Sequence, residues 1–303
     1  MQYALYRNDP DLQRAHARFP WVVTWDDHEV QNDYANTQSQ YEGDISALRA
    51  AAYQAWYEHQ PVRRPARPDA DGPRFYRRIH WGTLAKFDVI DGRQYRTIPA
   101  CGWGEANACP AQYEPEATML GRTQERWLYE GLRRSRAQWD ILGSNVMLAR
   151  LDHDGPAGSL LWHDAWDGFP AARNRLTRAW QQAETRNPVV ITGDWHSTFV
   201  NDIRADFDRP NSPVVATEFV GTSVTSNGDE VVYGPYYGPM IPFNPHIKFF
   251  DGDRRGYVSC RVNRNRLKVD LQMVRTVSRP DAEKYTLASF RVDDGRLGAY
   301  QIS

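Results

Sequence analysis

Between residues 75 and 192, short apolar runs alternate with amphipathic helical stretches, and no other feature narrows the folding options of this chain as far. Phe75 to Ile79 alternates as a strand, and Leu84 to Ile90 (LAKFDVI) reads as another. Gly121 to Ser135 (GRTQERWLYEGLRRS) has helical spacing, Trp139 to Leu148 reads as a strand, and Arg173 to Thr185 as a helix. Pro188 to Thr192 is a short, wholly apolar strand. A chain that switches repeatedly between these two periods buries its strands beneath helices, which predicts an α/β domain with both sheet faces covered. Before this region, Asp11 to Arg18 reads as a helix, Trp21 to Trp25 as a buried strand, and Ile45 to His59 as an Ala-rich helix stopped by Pro61 and Pro65. A polar, Pro-rich loop, RRPARPDADGPR, follows. After Pro213 the segments VVATEFV, GYVSCRV, LKVDLQMV and ASFRVDD predict a further sheet layer that closes the domain. A single domain over residues 1–303 is expected, with a possible subdivision near 212.

Charge excludes some partners. Lys+Arg 37 against Asp+Glu 38 leaves a net charge of -1, which offers no footprint for nucleic acid or an anionic membrane. No window approaches the roughly 18 apolar residues of a membrane span, and the first residues carry charges throughout, unlike a signal peptide. Cys101 and Cys109 bracket the Gly-rich stretch CGWGEANAC, either as a disulfide or as two unpaired thiols. No Cys/His spacing of a structural zinc site occurs.

Chemistry gathers at predicted strand ends. TWDDHEVQND, residues 24 to 33, follows Trp21-Val22-Val23 and packs acids, an imidazole and amides into one turn. Such carboxylates repel one another unless a cation or base compensates them. Asp26 or Asp27 could cap a helix beginning near His28. One acid suffices for that, and the set Asp27, His28, Glu29 and Asn32 points rather to hard-cation ligation. The strand at 188–192 runs into Gly193-Asp194-Trp195-His196-Ser197, where a carboxylate and an imidazole two residues apart can turn to one side and ligate a cation. The alternative is a capping Asp194 and a His196 packed on Trp195. Asp91 and Arg93 mark a third such end, and Arg49 is either an anion-binding cation or a solvated helix charge. Signatures of serine hydrolases, P-loops and dinucleotide folds are missing from the sequence. Metal-assisted phosphoester hydrolysis, in which a metal-bound hydroxide attacks and cations neutralise the phosphoryl oxygens, is the chemistry left best supported.

The ordered set TWDDHEVQND, RAAAYQAWYEH, DGRQYR, QERWLYEGL with SRAQWDILG, WDGFPAARNRL, ITGDWHS, EFVGTSVTS and NPHIKFFDGDRRGYV resembles the PhoD-like alkaline phosphatases over nearly the whole chain. The resemblance implies a four-layer αββα sandwich, phosphomonoesterase and phosphodiesterase activity, a centre of ferric iron with calcium, and export from the cytoplasm. It implies Asp27, Asp194 and His196 as metal ligands, Asn32 as a calcium-side ligand, His28 as the substrate-facing imidazole and Arg49 as a phosphate clamp. It also implies that an N-terminal sheet domain, a cysteine ligand and a GDxxYE stretch precede the point where this chain starts. The missing ligands give a second expectation, a metal- or phosphate-binding remnant without turnover, and the many aromatics a third, a phosphodiesterase acting on phospholipid or teichoic acid, with Tyr233, Tyr236 and Tyr237 lining a wide cleft.

Overall fold

The computed structural model describes residues 2–69, 72–209 and 211–303. Helices α1 (Gln2–Arg7) and α2 (Pro10–Arg18) come first, the latter begun by Asp9, whose carboxylate accepts the N–H groups of Asp11 and Leu12. A two-stranded ribbon, β1 (Gln38–Ser39) and β2 (Gly43–Asp44), leads into α3 (Ser46–His59). The Pro-rich loop expected after α3 is described except at Ala70 and Asp71, which lie outside the described residues.

Then follow β3 (Arg77–Trp81), β4 (Ala85–Val89), the short β5 (Glu105–Asn107), α4 (Gly121–Arg133), β6 (Trp139–Gly143) and β7 (Leu160–Trp162), which pairs with β5. Helix α5 (Pro170–Gln182) leads to β8 (Pro188–Thr192), β9 (Thr198–Arg204) and β10 (Val214–Val220). Helix α6 (Tyr233–Tyr237) and β11 (Ile247–Asp251) precede an antiparallel run of β12 (Gly256–Val262), β13 (Arg266–Val274), β14 (Lys284–Asp293) and β15 (Tyr300–Gln301).

Seven strands form the main sheet in the order β11-β9-β10-β8-β6-β4-β3. The central four, β10, β8, β6 and β4, are parallel, and antiparallel strands flank them on both sides. Because successive side chains of a strand point to opposite faces, neighbouring residues serve different cores. On β6, Ile141 packs with Leu267, Val269, Leu271 and Phe290 of the four-stranded sheet β12-β13-β14-β15. Leu142, one residue on, packs with Leu128 and Leu132 of α4 and Leu176 and Trp180 of α5. Val189 and Val190 of β8 divide in the same way, which is why this strand reads as a continuous apolar run. The described stack is helix, sheet, sheet, with Lys268, Asp270 and Gln272 partly exposed on the outer face of the small sheet. The architecture is the mixed α/β class that the alternation predicts.

Three segments depart from expectation. Trp21 to Trp25 is not a strand; it is extended, outside every ladder, with Trp21 and Val22 exposed and only Trp25 fully buried. Trp25 satisfies its apolar demand through aromatic side chains instead of sheet neighbours: Tyr53 stacks on it at 3.9 Å and Phe75 meets it edge-on at 3.7 Å, with Trp56 alongside at 5.7 Å. The predicted strand 139–148 ends at Gly143; Ser144 still donates its N–H to Ile191 O at 3.0 Å, and the chain bends away from the ladder at Asn145 and Val146. VVATEFV joins the main sheet rather than the closing layer, while β9 and β11 carry no signal strong enough to be read in advance.

Candidate metal centre

All the central parallel strands end on one side of the main sheet, and their connections supply the site there. Asp91 to Arg93 follow β4, Asn145 follows β6, Gly193 and Asp194 follow β8, and Gly221 and Thr222 follow β10. The extended segment before Asp26 is tied across this edge. Asn145 Nδ2 donates to the Trp25 carbonyl, Thr24 Oγ1 donates to Ile90 O at 3.3 Å, and Arg77 donates to Val23 O at 2.5 Å. Asn145 Oδ1 in turn accepts the Gly92 N–H at 2.8 Å, so one amide joins three chain segments.

Asp26, Asp27 and Asp194 converge there, each offering a carboxylate oxygen within 4.8 Å of the others. Asp27 is buried, and its two oxygens accept the N–H groups of His28 at 2.8 Å and Asp33 at 3.0 Å, which closes the turn that contains Asn32. Asp194 adopts φ 75° and His196 φ 51°. Asp and His enter this left-handed region more readily than bulky residues, yet two in one short loop is strain of a kind concentrated at functional sites. The bend after β8 is therefore made by Asp194 and His196, and Gly193 is not among the positive-φ glycines.

One buried guanidinium organises the acids. Arg93 donates from Nε to Asp26 Oδ1 at 2.6 Å and from Nη1 to Asp164 Oδ1 at 2.6 Å, and its Nη2 lies 3.6 Å from Asp194 Oδ1. Arg96 reinforces it, donating to the same Asp164 oxygen at 2.5 Å and to the carbonyls of Asp33 and Tyr34. Although burial works against the charged form, Arg93 and Arg96 hold Asp164 down at about 2. The other acids go the opposite way. Burial, reinforced by Asp26 and Asp164, raises Asp194 well above the usual carboxylate range, and burial raises Asp26 too, against the pull of Arg93. Asp33 is pushed up to about 7, first by burial and then by Asp164. Four clustered carboxylates thus share two guanidinium groups, and the excess negative charge is what a bound cation would relieve.

The residue types fit such a cation. Carboxylate oxygens from two separated turns suit a hard metal ion, and the cluster can hold one. His196 lies two residues along the chain from Asp194. Its Nδ1 lies 2.7 Å from Asn227 Oδ1 and 3.3 Å from the Tyr233 hydroxyl. With Asn227 Oδ1 as acceptor, Nδ1 carries the hydrogen and Nε2 keeps its lone pair, the usual arrangement of a metal-ligating imidazole.

Of the six residues singled out in the sequence, Asp27 and Asp194 meet within the cluster, and Asn32 sits in the same turn as Asp27. His28 lies beside them with its ring in solvent, Nε2 3.8 Å from Asp27 Oδ2 and the side chain 76% exposed. His196 is joined to Asn227 and Tyr233 and is not among the three clustered acids. Arg49 donates to Asn36 Oδ1 at 2.6 Å and lies 5.4 Å over the Tyr53 ring, so its side chain is engaged away from the acids. Sequence reasoning missed Asp26 as a member of the cluster and Asp164 and Asn145 as its supports.

Cys101 and Cys109 do form a disulfide. The loop it clips carries Glu105, which accepts from Tyr236 Oη at 2.9 Å and pairs with His153 Nδ1 at 2.6 Å.

With this geometry in hand, comparison with known proteins defines the class. Residues 1–271 match the PhoD-like phosphatase family. Alkaline phosphatase D of Bacillus subtilis (strain 168) is 39% identical over 305 residues, an alignment covering 100% of this chain and 52% of that protein. A solved structure of PhoD superposes with a TM-score of 0.93 at 39% identity, covering 99% of this chain and 58% of the other. The chain belongs to the PhoD-like phosphatase family, and it spans a little over half the length of these relatives. Among the described residues no helix is long and apolar enough to cross a membrane.

Proposed function

We propose that this chain hydrolyses phosphoesters with the help of metal ions held by Asp26, Asp27 and Asp194, with His196 Nε2 and Asn32 completing the ligand set. The observation that carries this reading is the convergence of the three carboxylates within 4.8 Å around a buried, over-subscribed Arg93. Ferric iron with calcium is the pair that the family resemblance suggests, and an oxygen-rich donor set favours such hard cations. The metal supplies Lewis acidity towards the phosphoryl oxygens and towards water.

The remaining work falls to the chain itself. Arg93 fixes the spacing of Asp26 and Asp194, so the carboxylates are aimed before a ligand arrives. His28, its ring exposed to solvent beside Asp27, is placed to give a proton to the departing ester oxygen. Arg49 remains a phosphate contact only if its guanidinium leaves Asn36. The disulfide favours an oxidising compartment and supports export.

The test is hydrolysis of p-nitrophenyl phosphate and of its bis ester with iron and calcium supplied. Turnover of either is expected, and the ratio of the two assigns monoester or diester preference. Turnover that Asp194→Ala leaves untouched would refute the assignment, and cation binding without hydrolysis would support the remnant reading instead.

A further inference from the structure

Among the described residues no carboxylate pairs with the buried guanidinium of Arg255. Its side chain is 2% exposed, and among the described residues its donors meet only main-chain oxygens. Nε donates to Ser226 O at 2.8 Å, Nη2 to Glu230 O at 3.5 Å, and Nη1 to His196 O at 3.4 Å, Arg254 O at 3.3 Å and Gly252 O at 3.5 Å. Removing a guanidinium from water without a counter-charge is costly. A fold that keeps one there is using its fixed fork of donors for geometry.

The geometry concerns two loops. One carries His196, and the other, residues 221–232, carries Asn227, whose Oδ1 takes the His196 ring. Arg255 grips both, the first through the His196 carbonyl and the second through the carbonyls of Ser226 and Glu230, on either side of Asn227. Thr222 Oγ1, with a single hydrogen, lies 2.8 Å from Arg254 O and 3.0 Å from the His196 carbonyl and is shared between these two acceptors. That carbonyl belongs to a residue at φ 51°, a conformation that persists only where surroundings over-determine it.

We propose that Arg255 is a positioning residue for this site: by clamping the His196 loop to the Asn227 loop it sets the orientation of the His196 imidazole. It touches neither substrate nor metal and acts through the backbone of His196 and the placement of Asn227. The significance for turnover rests on the phosphoester reading above; the structural claim does not.

Two measurements on the full chain separate these. In protein labelled with 15N-histidine, Arg255→Lys shifts the His196 Nδ1 resonance away from its wild-type position, as loss of the Asn227 acceptor requires; an unchanged resonance in folded Arg255→Lys overturns the proposal. This readout holds whether or not the protein turns over ester, so an inactive wild type would count against the phosphoester reading alone. Kinetically, Arg255→Lys lowers kcat about tenfold while KM stays within about twofold, because the ring is misaimed rather than removed. Asn227→Ala acts through the same ring, so the double variant falls no further than about twofold below the worse single one, whereas multiplying effects would overturn the proposal. Should Arg255→Lys fail to fold, Thr222→Val weakens the same carbonyl grip, and the same coupling with Asn227→Ala is expected of it.

Discussion

Two buried charge clusters sit on the main sheet, and only one is in balance. Towards the β3 edge, Lys86 pairs with Asp88 at 3.1 Å and with Asp140, Arg78 donates to Asp88 at 2.5 Å, and Ser135 donates to Asp140 at 2.9 Å. Two cations answer two carboxylates there, and Lys86 is 1% exposed. At the strand ends, Arg93 and Arg96 face Asp26, Asp27, Asp164 and Asp194, with Asp33 beside them, and the side chains of Asp26 and Asp194 are 25% and 17% exposed. A cluster whose cations match its carboxylates is architecture. One with more carboxylates than cations is a candidate receptacle, where a positive ligand would relieve the excess negative charge.

Breaking each cluster tells them apart, and the receptacle gives the largest effect. Asp194→Asn is expected to lower phosphoester turnover by about three orders of magnitude, read with p-nitrophenyl phosphate. The same change relieves repulsion in the metal-free protein, so its melting temperature holds or rises, and added cation no longer stabilises it as it does the wild type. Lys86→Met does the reverse. It leaves Asp88 and Asp140 buried without their shared cation, and denaturant unfolding should show a loss of about 3 to 5 kcal/mol while turnover per folded molecule stays near wild type.

The smallest effect sharpens the comparison at acid pH, where one imidazole outside both clusters must first be subtracted. His246, its Nε2 2.7 Å from Arg150 O, is lowered by burial to about 4 from an ordinary 6.5. The folded state therefore prefers it neutral, so its contribution is complete above pH 6.5 and is lost as pH falls through that value towards 4. The loss totals up to about 3 kcal/mol, and His246→Gln should flatten the stability curve across that window. A slope unchanged by this substitution would assign the acid sensitivity to other groups, the clusters and His163, which burial also lowers, among them.

How much of this was legible depends on how local the cause is. Asp27 and Asp194 could be read because each stands in a short polar burst that follows an apolar run, and such bursts announce themselves within ten residues. Asp26 was readable only as a helix cap, since its tie to Arg93 spans 67 residues. Asn145 was hidden by drawing its strand through to Leu148, which turned a strand-end amide into a mid-strand residue. Asp164 follows no long apolar run and gave no local sign, because its work is to hold two distant arginines. The α/β layering was legible from Ile141 and Leu142 and from Val189 and Val190, since burial on both faces leaves a continuous apolar run. Trp25 misled for a related reason: an apolar run states that burial is needed and leaves open whether a ladder or a ring of aromatics supplies it.

The segment that carries Asp26 and Asp27 belongs to no strand and meets the sheet edge only through side chains and a few carbonyl contacts. Two of the three clustered carboxylates are therefore delivered by this strap and the third by a loop some 170 residues later, so closing the cluster carries a large loop-closure cost. If docking of the strap is the last step of refolding, the sheet is complete while the cluster is still open. Cation uptake would then lag behind the return of secondary structure, a clock for the last docking event that ordinary optical probes of the backbone would miss.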